Sequence, residues 1–442
     1  MPDPATSPPH SSRQSIRITV KGGLDTKQIF GTRPHNECLT ENATVTPSPI
    51  SRVALLGHDY PDTRFDIVTD PGATVIAGET VLRDRKRPEI CLSAPVSGTV
   101  TEIKRGPRRS LISLQIDRDN LQRRREFDFP AHPSGEDIRQ LVLQSGLWTT
   151  LRTRPFGRIP EPSKSPHALF ITAMDTRPLA VQPTVVISSY EDLFNAGLSA
   201  LGKMIDCPIY LCQKPGPSLS NAHADRVTVA QFDGLHPAGL PGTHIHYLCP
   251  VGAGDREVWH IDYQDVISVG HLMRHKSPWF DRVVSLCGDG FESPCLLLLP
   301  VGASIHEAIQ GHLIAEPSRI MAGSALFADA IGNHEAFLGA GQRQITALRE
   351  TATDNRRFPT SKATLIPTTD LDRLVPDGFL AVPLLRALET ADTDRARELG
   401  ALELIEEDLA LLGYASNANT NYGPLLRAIL DQIYREGLST PG

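Results

Sequence analysis

Four imidazoles and a thiol crowd one stretch of the chain: His236, His244, His246, Cys249 and His260. These donor types can ligate a metal, and in a strand His244 and His246 would point to one side, as two ligands would. Gly239, Pro241 and Gly242 lie in the same stretch and equally suit a structural turn. Metal ligation, the polar lining of a ligand site and a structural turn are therefore three competing readings, and the turn is the simplest. A second group, Trp148, Arg152 and Arg154, offers an aromatic face beside two cations. Rings stack on planar ligands, and guanidinium groups hydrogen-bond an oxygen as its negative charge grows. The simpler reading is a helix and turn packed on a neighbouring domain, with the arginines paired to carboxylates. Seven cysteines, at 38, 91, 207, 212, 249, 287 and 295, contain no CxxC and stop at 295. A ferredoxin-like cluster needs four thiolates in tight register, so none can be built here. Scattered thiols in odd number fit a reducing compartment. Neither a catalytic triad nor a carboxylate pair stands out.

The elements that must hold these residues belong to a globular chain of 442 residues, 40% hydrophobic and 21% charged. That length is enough for about three domains. The longest apolar stretch, Cys295 to Ala303, is broken by Pro300 and falls far short of the ~20 residues of a membrane helix. Met1 to Gln14 is rich in Pro and Ser, has no apolar core of a signal peptide, and reads as a disordered tail. A net charge of -7 argues against nucleic acid and against simple electrostatic docking on anionic lipid. Basic runs at 83–87 and 123–125 read as solvated loops, and Glu406-Glu407-Asp408 as a solvated acidic face.

From Ile16 to Asp119 short strands alternate with Gly and Pro turns. Pro71 to Leu82 and Ser93 to Ile103 look like the two hairpins of a biotinyl- or lipoyl-type barrel-sandwich hybrid. The connection between them, Arg83 to Cys91, has a lone Lys86 without flanking Met residues, so no swinging arm is expected. From Glu136 the texture becomes strand–helix–strand. The apolar run His167 to Met174 suits a strand buried on both faces. Glu191 to Ile205 is amphipathic, and Ile209 to Cys212 and Arg226 to Ala230 are further strands. This predicts a Rossmann-like α/β layer. Strands at 282–287 and 296–299, then Ser304 and Glu307 as an expected capping box, resemble a β-grasp domain of the soluble-ligand-binding (SLBB) type. Helical periodicity covers Leu380 to Leu388, Arg395 to Leu412 and Pro424 to Glu436. The expected organisation is a multidomain α/β and α+β chain: tail 1–14, barrel-sandwich hybrid 15–125, Rossmann-like domain 126–275, β-grasp 276–345 and a mostly helical region 346–442.

Longer strings make the whole recognisable. They include Val53-Ala54-Leu55-Leu56-Gly57-His58-Asp59-Tyr60, Ala94-Pro95-Val96-Ser97-Gly98-Thr99-Val100 and Ser145-Gly146-Leu147-Trp148-Thr149-Thr150-Leu151-Arg152-Thr153-Arg154-Pro155-Phe156. His236-Pro237-Ala238-Gly239-Leu240-Pro241-Gly242-Thr243-His244-Ile245-His246 is the most distinctive, and Leu399 to Leu411 agrees in the tail. In this order they resemble the A-subunit family of the sodium-translocating NADH:quinone reductases, from about Ile16 to Gly437. The stretch 413–419 departs from the family, and the N-terminal tail is longer than expected.

The resemblance implies a peripheral subunit on the cytoplasmic face of a bacterial inner membrane, contacting subunits B to F and B most directly. The complex it implies oxidises NADH, reduces ubiquinone and exports sodium. FMN, FAD, riboflavin and iron centres are expected in the partner subunits, with no cofactor and no metal in this one. Related flavin-binding subunits cradle phosphates on a Gly-rich loop. The matching position here, Gly146 to Phe156, carries Trp, Thr, Leu and Arg. Gly72-Ala73-Thr74 resembles a covalent-flavin threonine tether only superficially, since Val68 and Pro71 occupy the places that need Asp and Ser/Thr. His236, His244, His246, Trp148, Arg152 and Arg154 are the candidates for lining a quinone site, with no catalytic residue expected. The alternatives are a stand-alone quinone- or ligand-binding module and an Rnf-type electron-transfer subunit.

Overall fold

The computed structural model describes residues 15–26, 43–61, 63–221, 226–252, 256–326, 336–349, 364–416, 418 and 420–439. The expected tail at 1–14 and Cys38 lie outside them. The barrel-sandwich unit is two small antiparallel sheets facing each other. One runs Arg52–Leu56, Leu111–Arg118, Gly98–Arg105, Thr74–Val75, and the other Phe65–Ile67, Thr80–Asp84, Cys91–Ser93. Period-two alternation sends Val53, Leu55, Val81, Val100, Leu114 and Ile116 into a shared core. The turn carrying Lys86 is tied down by the buried Asp84 carboxylate, which accepts from Lys86 N and Arg87 Nε at 2.9 and 2.8 Å.

A six-stranded sheet forms the centre, in the order Ile16–Thr19, Val227–Asp233, Ile209–Gln213, Leu169–Ala173, Val258–Asp262, Arg152–Arg154. All neighbours are parallel except the last, where Arg152–Arg154 runs antiparallel along Val258–Asp262. The first strand of the chain thus sits on this sheet and not with the sandwich. Chain order reverses between Leu169–Ala173 and Val258–Asp262, so connections leave in opposite directions and open a crevice at their carboxyl ends. The helices Glu191–Met204 and Tyr263–His275 pack closely together beside the sheet.

A five-stranded sheet follows: Ser318–Ala322, Gln344–Arg349, Asp281–Cys287, Cys295–Pro300, with Val45–Pro47 added at the edge. The capping box expected at Ser304 does not form. The Ser304 hydroxyl has no partner, and Glu307 instead accepts from Ser51 N, Ser51 Oγ and Arg52 Nε at 2.6, 2.8 and 3.0 Å. An acceptor three residues into a helix serves whichever donor is nearest, and here a neighbouring strand supplies three. A true capping box closes Gly135–Gln144, between Ser134 and Asp137.

The C-terminal region is helical with its own core, in which Leu384, Leu402, Leu412, Tyr422, Leu426 and Leu430 are buried together. Its middle departs from expectation. Arg395 to Leu412 is not one helix but Thr393–Glu398, two tight turns and Ala410–Ala415, broken where Gly400 takes φ 90°. That break swings Glu406-Glu407-Asp408 inward. The expected solvated face is instead half-buried, with the Asp408 side chain only 6% exposed and that of Glu406 26%.

Candidate functional site

The crevice predicted by the strand order opens into a cavity of about 550 Å³. Its walls come from every unit of the chain. Thr172, Met174 and Asp175 enter from the end of Leu169–Ala173, and His260 and Asp262 from its parallel neighbour. Asp59, Tyr60 and Ser93 enter from the sandwich, Arg282 and Ser285 from the five-stranded sheet, and Glu406 and Glu407 from the C-terminal region.

Charges at the rim are paired in a chain. Asp265 accepts from Arg282 Nη2 at 2.5 Å and from Arg343 Nη2 at 3.2 Å, while Arg343 Nε reaches Asp262 at 3.3 Å. Asp262 also caps the helix Tyr263–His275, accepting from Gln264 N at 2.9 Å. Burial pushes the Asp262 carboxyl up against the pull of Arg343. Asp175 and Arg177 form a two-pronged pair, with contacts of 3.0, 3.1 and 2.6 Å. On the sandwich side, burial raises Asp59, which accepts from Ala340 N at 2.9 Å. Arg152 lies over the Tyr60 ring at 5.7 Å. Three buried polar atoms of the lining residues, Ser93 Oγ, Thr172 Oγ1 and Arg282 Nε, have no hydrogen-bond partner among the described residues. The walls also carry apolar side chains such as Leu92, Met174 and Phe280.

Of the six residues expected to line a ligand site, Arg152 and His236 reach this cavity. His236 is 3% exposed. Thr176 Oγ1 accepts from Gly239 N and is 3.1 Å from His236 Nδ1, so its hydroxyl hydrogen is free for the imidazole. Burial drives His236 down to about 4, which keeps it neutral. The other four lie elsewhere. Trp148 is fully buried, edge-on to Trp259 at 5.6 Å, and donates Nε1–H to Pro160 O at 2.9 Å. His244 and His246 stand on the helix Pro241–Leu248, not on a strand, so they diverge in direction. His244 donates Nε2–H to Ala238 O at 3.0 Å and is pushed by burial to about 3. His246 turns to the C-terminal region, 2.7 Å from Glu403 Oε2.

Arg154 is fully buried behind the cavity, with Nη1 2.5 Å from His260 Nε2 and Nη2 3.6 Å from Asp408 Oδ2. Burial and then the Arg154 charge hold His260 well below its ordinary pKa, so the ring nitrogen accepts. Burial lifts Asp408 to about 7 in spite of Arg154. No cluster of three or more His, Cys, Asp or Glu side chains suited to a metal occurs among the described residues.

Asp59, Asp175, Arg177, Asp262, Asp265, Arg282 and Arg343 are the site residues that spacing did not single out. One signal for two of them was present: Asp175 and Asp262 each sit at the end of an apolar parallel strand, where open α/β sheets place ligands. The Arg282–Asp265–Arg343 bridge depends on long-range packing and has no local signature.

Comparison with known proteins is decisive about kinship. The NqrA N-terminal barrel-sandwich hybrid domain matches residues 18–119, and the NqrA second alpha/beta domain matches 133–276. The A subunit of the Na(+)-translocating NADH-quinone reductase of Pseudomonas aeruginosa is 38% identical, covering 95% of this chain and 100% of its own length. Those of Klebsiella pneumoniae and Yersinia pestis are 37% and 36% identical, each covering 89% of this chain and 96% of their own. Among solved structures, a chain of an NAD+-reducing nickel–iron hydrogenase in the air-oxidized state aligns with TM-score 0.38 at 12% identity, over 70% of this chain and 64% of that one. That likeness is too loose to bear on the site. Identity of this extent over nearly full length makes the chain a member of the A-subunit family of the Na(+)-translocating NADH-quinone reductases.

Proposed function

We propose that the chain is the peripheral A subunit of a sodium-pumping NADH:ubiquinone oxidoreductase, seated on the cytoplasmic face of the membrane against subunits B to F, with B its main contact. Near-full-length likeness to proteins of that name carries the reading. No described helix is long and apolar enough to cross a membrane, which suits attachment through protein partners. The strand orders support a Rossmann-like second domain and a β-grasp, SLBB-type third domain, with domain limits near 125, 275 and 345.

The chain holds no redox cofactor of its own in this reading. Where relatives of similar layout cradle flavin phosphates, Gly146–Phe156 here forms a turn and an edge strand filled by buried Trp148 and Arg154. FMN, FAD, riboflavin and iron centres belong to the partner subunits. This chain shapes the quinone side, with Arg152 and His236 facing the cavity. Arg152 donates to a quinone oxygen as charge develops there, and neutral His236 lines the polar wall without adding charge.

Steady-state kinetics of the whole complex test this. Arg152→Gln lowers kcat and kcat/KM with ubiquinone about tenfold, the loss of roughly 1.4 kcal/mol, while NADH oxidation by an artificial acceptor is unchanged. Equal loss of both activities, or no change in either, contradicts the assignment.

A further inference from the structure

The mean charge of the molecule conceals one basic point. Three basic runs occur in the sandwich, and in two of them at least half of the cations are bound to carboxylates. Arg85 and Arg87 bind Asp66, Asp84 and Glu161, and Arg123 and Arg124 reach Asp119 and Asp281. The third is the tip of the hairpin Gly98–Arg105 to Leu111–Arg118. There Lys104 pairs with Glu102, but Arg105, Arg108 and Arg109 are exposed and face no carboxylate among the described residues. The turn satisfies its own backbone, through Gly106 N to Ser110 O, Arg109 N to Gly106 O and Ser110 N to Pro107 O at 2.8, 3.1 and 3.1 Å. The Arg108 and Arg109 guanidinium groups therefore serve no visible structural purpose. Beside them Ile112 is 51% exposed, an apolar side chain among cations.

We propose that this hairpin tip docks on anionic phospholipid headgroups, with the three arginines at the phosphates and Ile112 entering the interface. The combination fits a negatively charged bilayer surface, which attracts clustered cations within about a Debye length and accepts apolar side chains just below the headgroups. Position supports it. Leu111 O lies only 1.9 Å from where a side chain on Gly57 would begin, and the next two residues, His58 and Asp59, are part of the cavity wall. The hairpin thus packs against the residue that precedes this part of the cavity wall, so docking its tip would bring that side of the molecule toward the membrane. No other protein of the complex is required, which separates this proposal from the functional assignment above.

Flotation of the full chain with phosphatidylcholine vesicles, with and without phosphatidylglycerol, tests it. Binding is expected only with phosphatidylglycerol, falling as salt rises. The triple variant Arg105→Gln, Arg108→Gln, Arg109→Gln weakens it about a hundredfold, from a five- to sixfold contribution per arginine. Ile112→Ser weakens it further, and all variants keep the parent Tm. A control with Arg85→Gln and Arg123→Gln binds as the parent does. Absence of phosphatidylglycerol-dependent binding, its survival in the triple variant, equal loss in the control, or attachment to native membranes alone overturns the proposal.

Discussion

Asp408 shows how a single carboxyl beside a cation can oppose stability. It contacts a guanidinium, yet desolvation of the carboxylate outweighs that attraction and lifts its pKa from 3.8 to about 7. The folded chain then binds more protons than the unfolded chain between those two values. Stability contributed by the neutral carboxyl is full below pH 3.8 and is lost as pH rises through about 7. His236 and His244 pull the other way, since their pKa values are depressed to about 4 and about 3 and their contribution fades as pH falls below 6.5. Comparing wild type with Asp408→Asn cancels the histidines, which both proteins share. The two should melt at nearly the same temperature at pH 4, with the variant gaining on wild type as pH rises toward 8. A gap independent of pH in thermal melts would show that the carboxyl is not shifted. Nothing in the sequence betrays this residue: three acidic positions in a row read as solvent-facing, and only the inward turn of the backbone half-buries them.

At the scale of elements, the helices Glu191–Met204 and Tyr263–His275 approach each other closely at two glycines. A side chain built on Gly270 would meet Leu193 O at 1.8 Å, and one on Gly197 would meet Val266 O at 2.0 Å. Gly270→Ala therefore destabilises the fold by about 1–3 kcal/mol through overpacking, although alanine alone would favour the helix by about 1 kcal/mol. Chemical denaturation reads the sign, and a stabilised variant would mean the helices are not in contact there. Elements of this kind were legible wherever the periodicity was long. The buried strand Leu169–Ala173 and the helices Glu191–Met204 and Ala381–Glu389 fall close to their expected places. Failures came where a local pattern met a distant partner. Glu307 answers Ser51 and Arg52 and leaves Ser304 uncapped, and the apolar spacing from Arg395 to Leu412 hides a chain break at Gly400. The candidate site was half legible for the same reason. His236 and Arg152 were identifiable by type and string, but the carboxylate–guanidinium chain around them joins residues far apart in sequence.

Across the whole molecule, the helical C-terminal region is fastened to the body by charge as well as packing. Arg158 pairs with Asp431 at 3.2 Å and lies 3.5 Å over the Tyr434 ring, and Arg427 donates to Phe156 O at 2.7 Å. The first strand of the chain lies on the central sheet and Val45–Pro47 on the five-stranded sheet, so the N-terminal segments also tie separate layers together. Such cross-bracing suits a rigid body that shapes a site shared with partners. Affinity purification of a tagged copy from native membranes in mild detergent tests that role most directly. The complex is expected to arrive whole, with subunits B to F at equal stoichiometry and sodium-stimulated NADH:ubiquinone reductase activity in the eluate. A chain that elutes without those subunits, or that carries flavin and oxidises NADH unaided, would contradict the account.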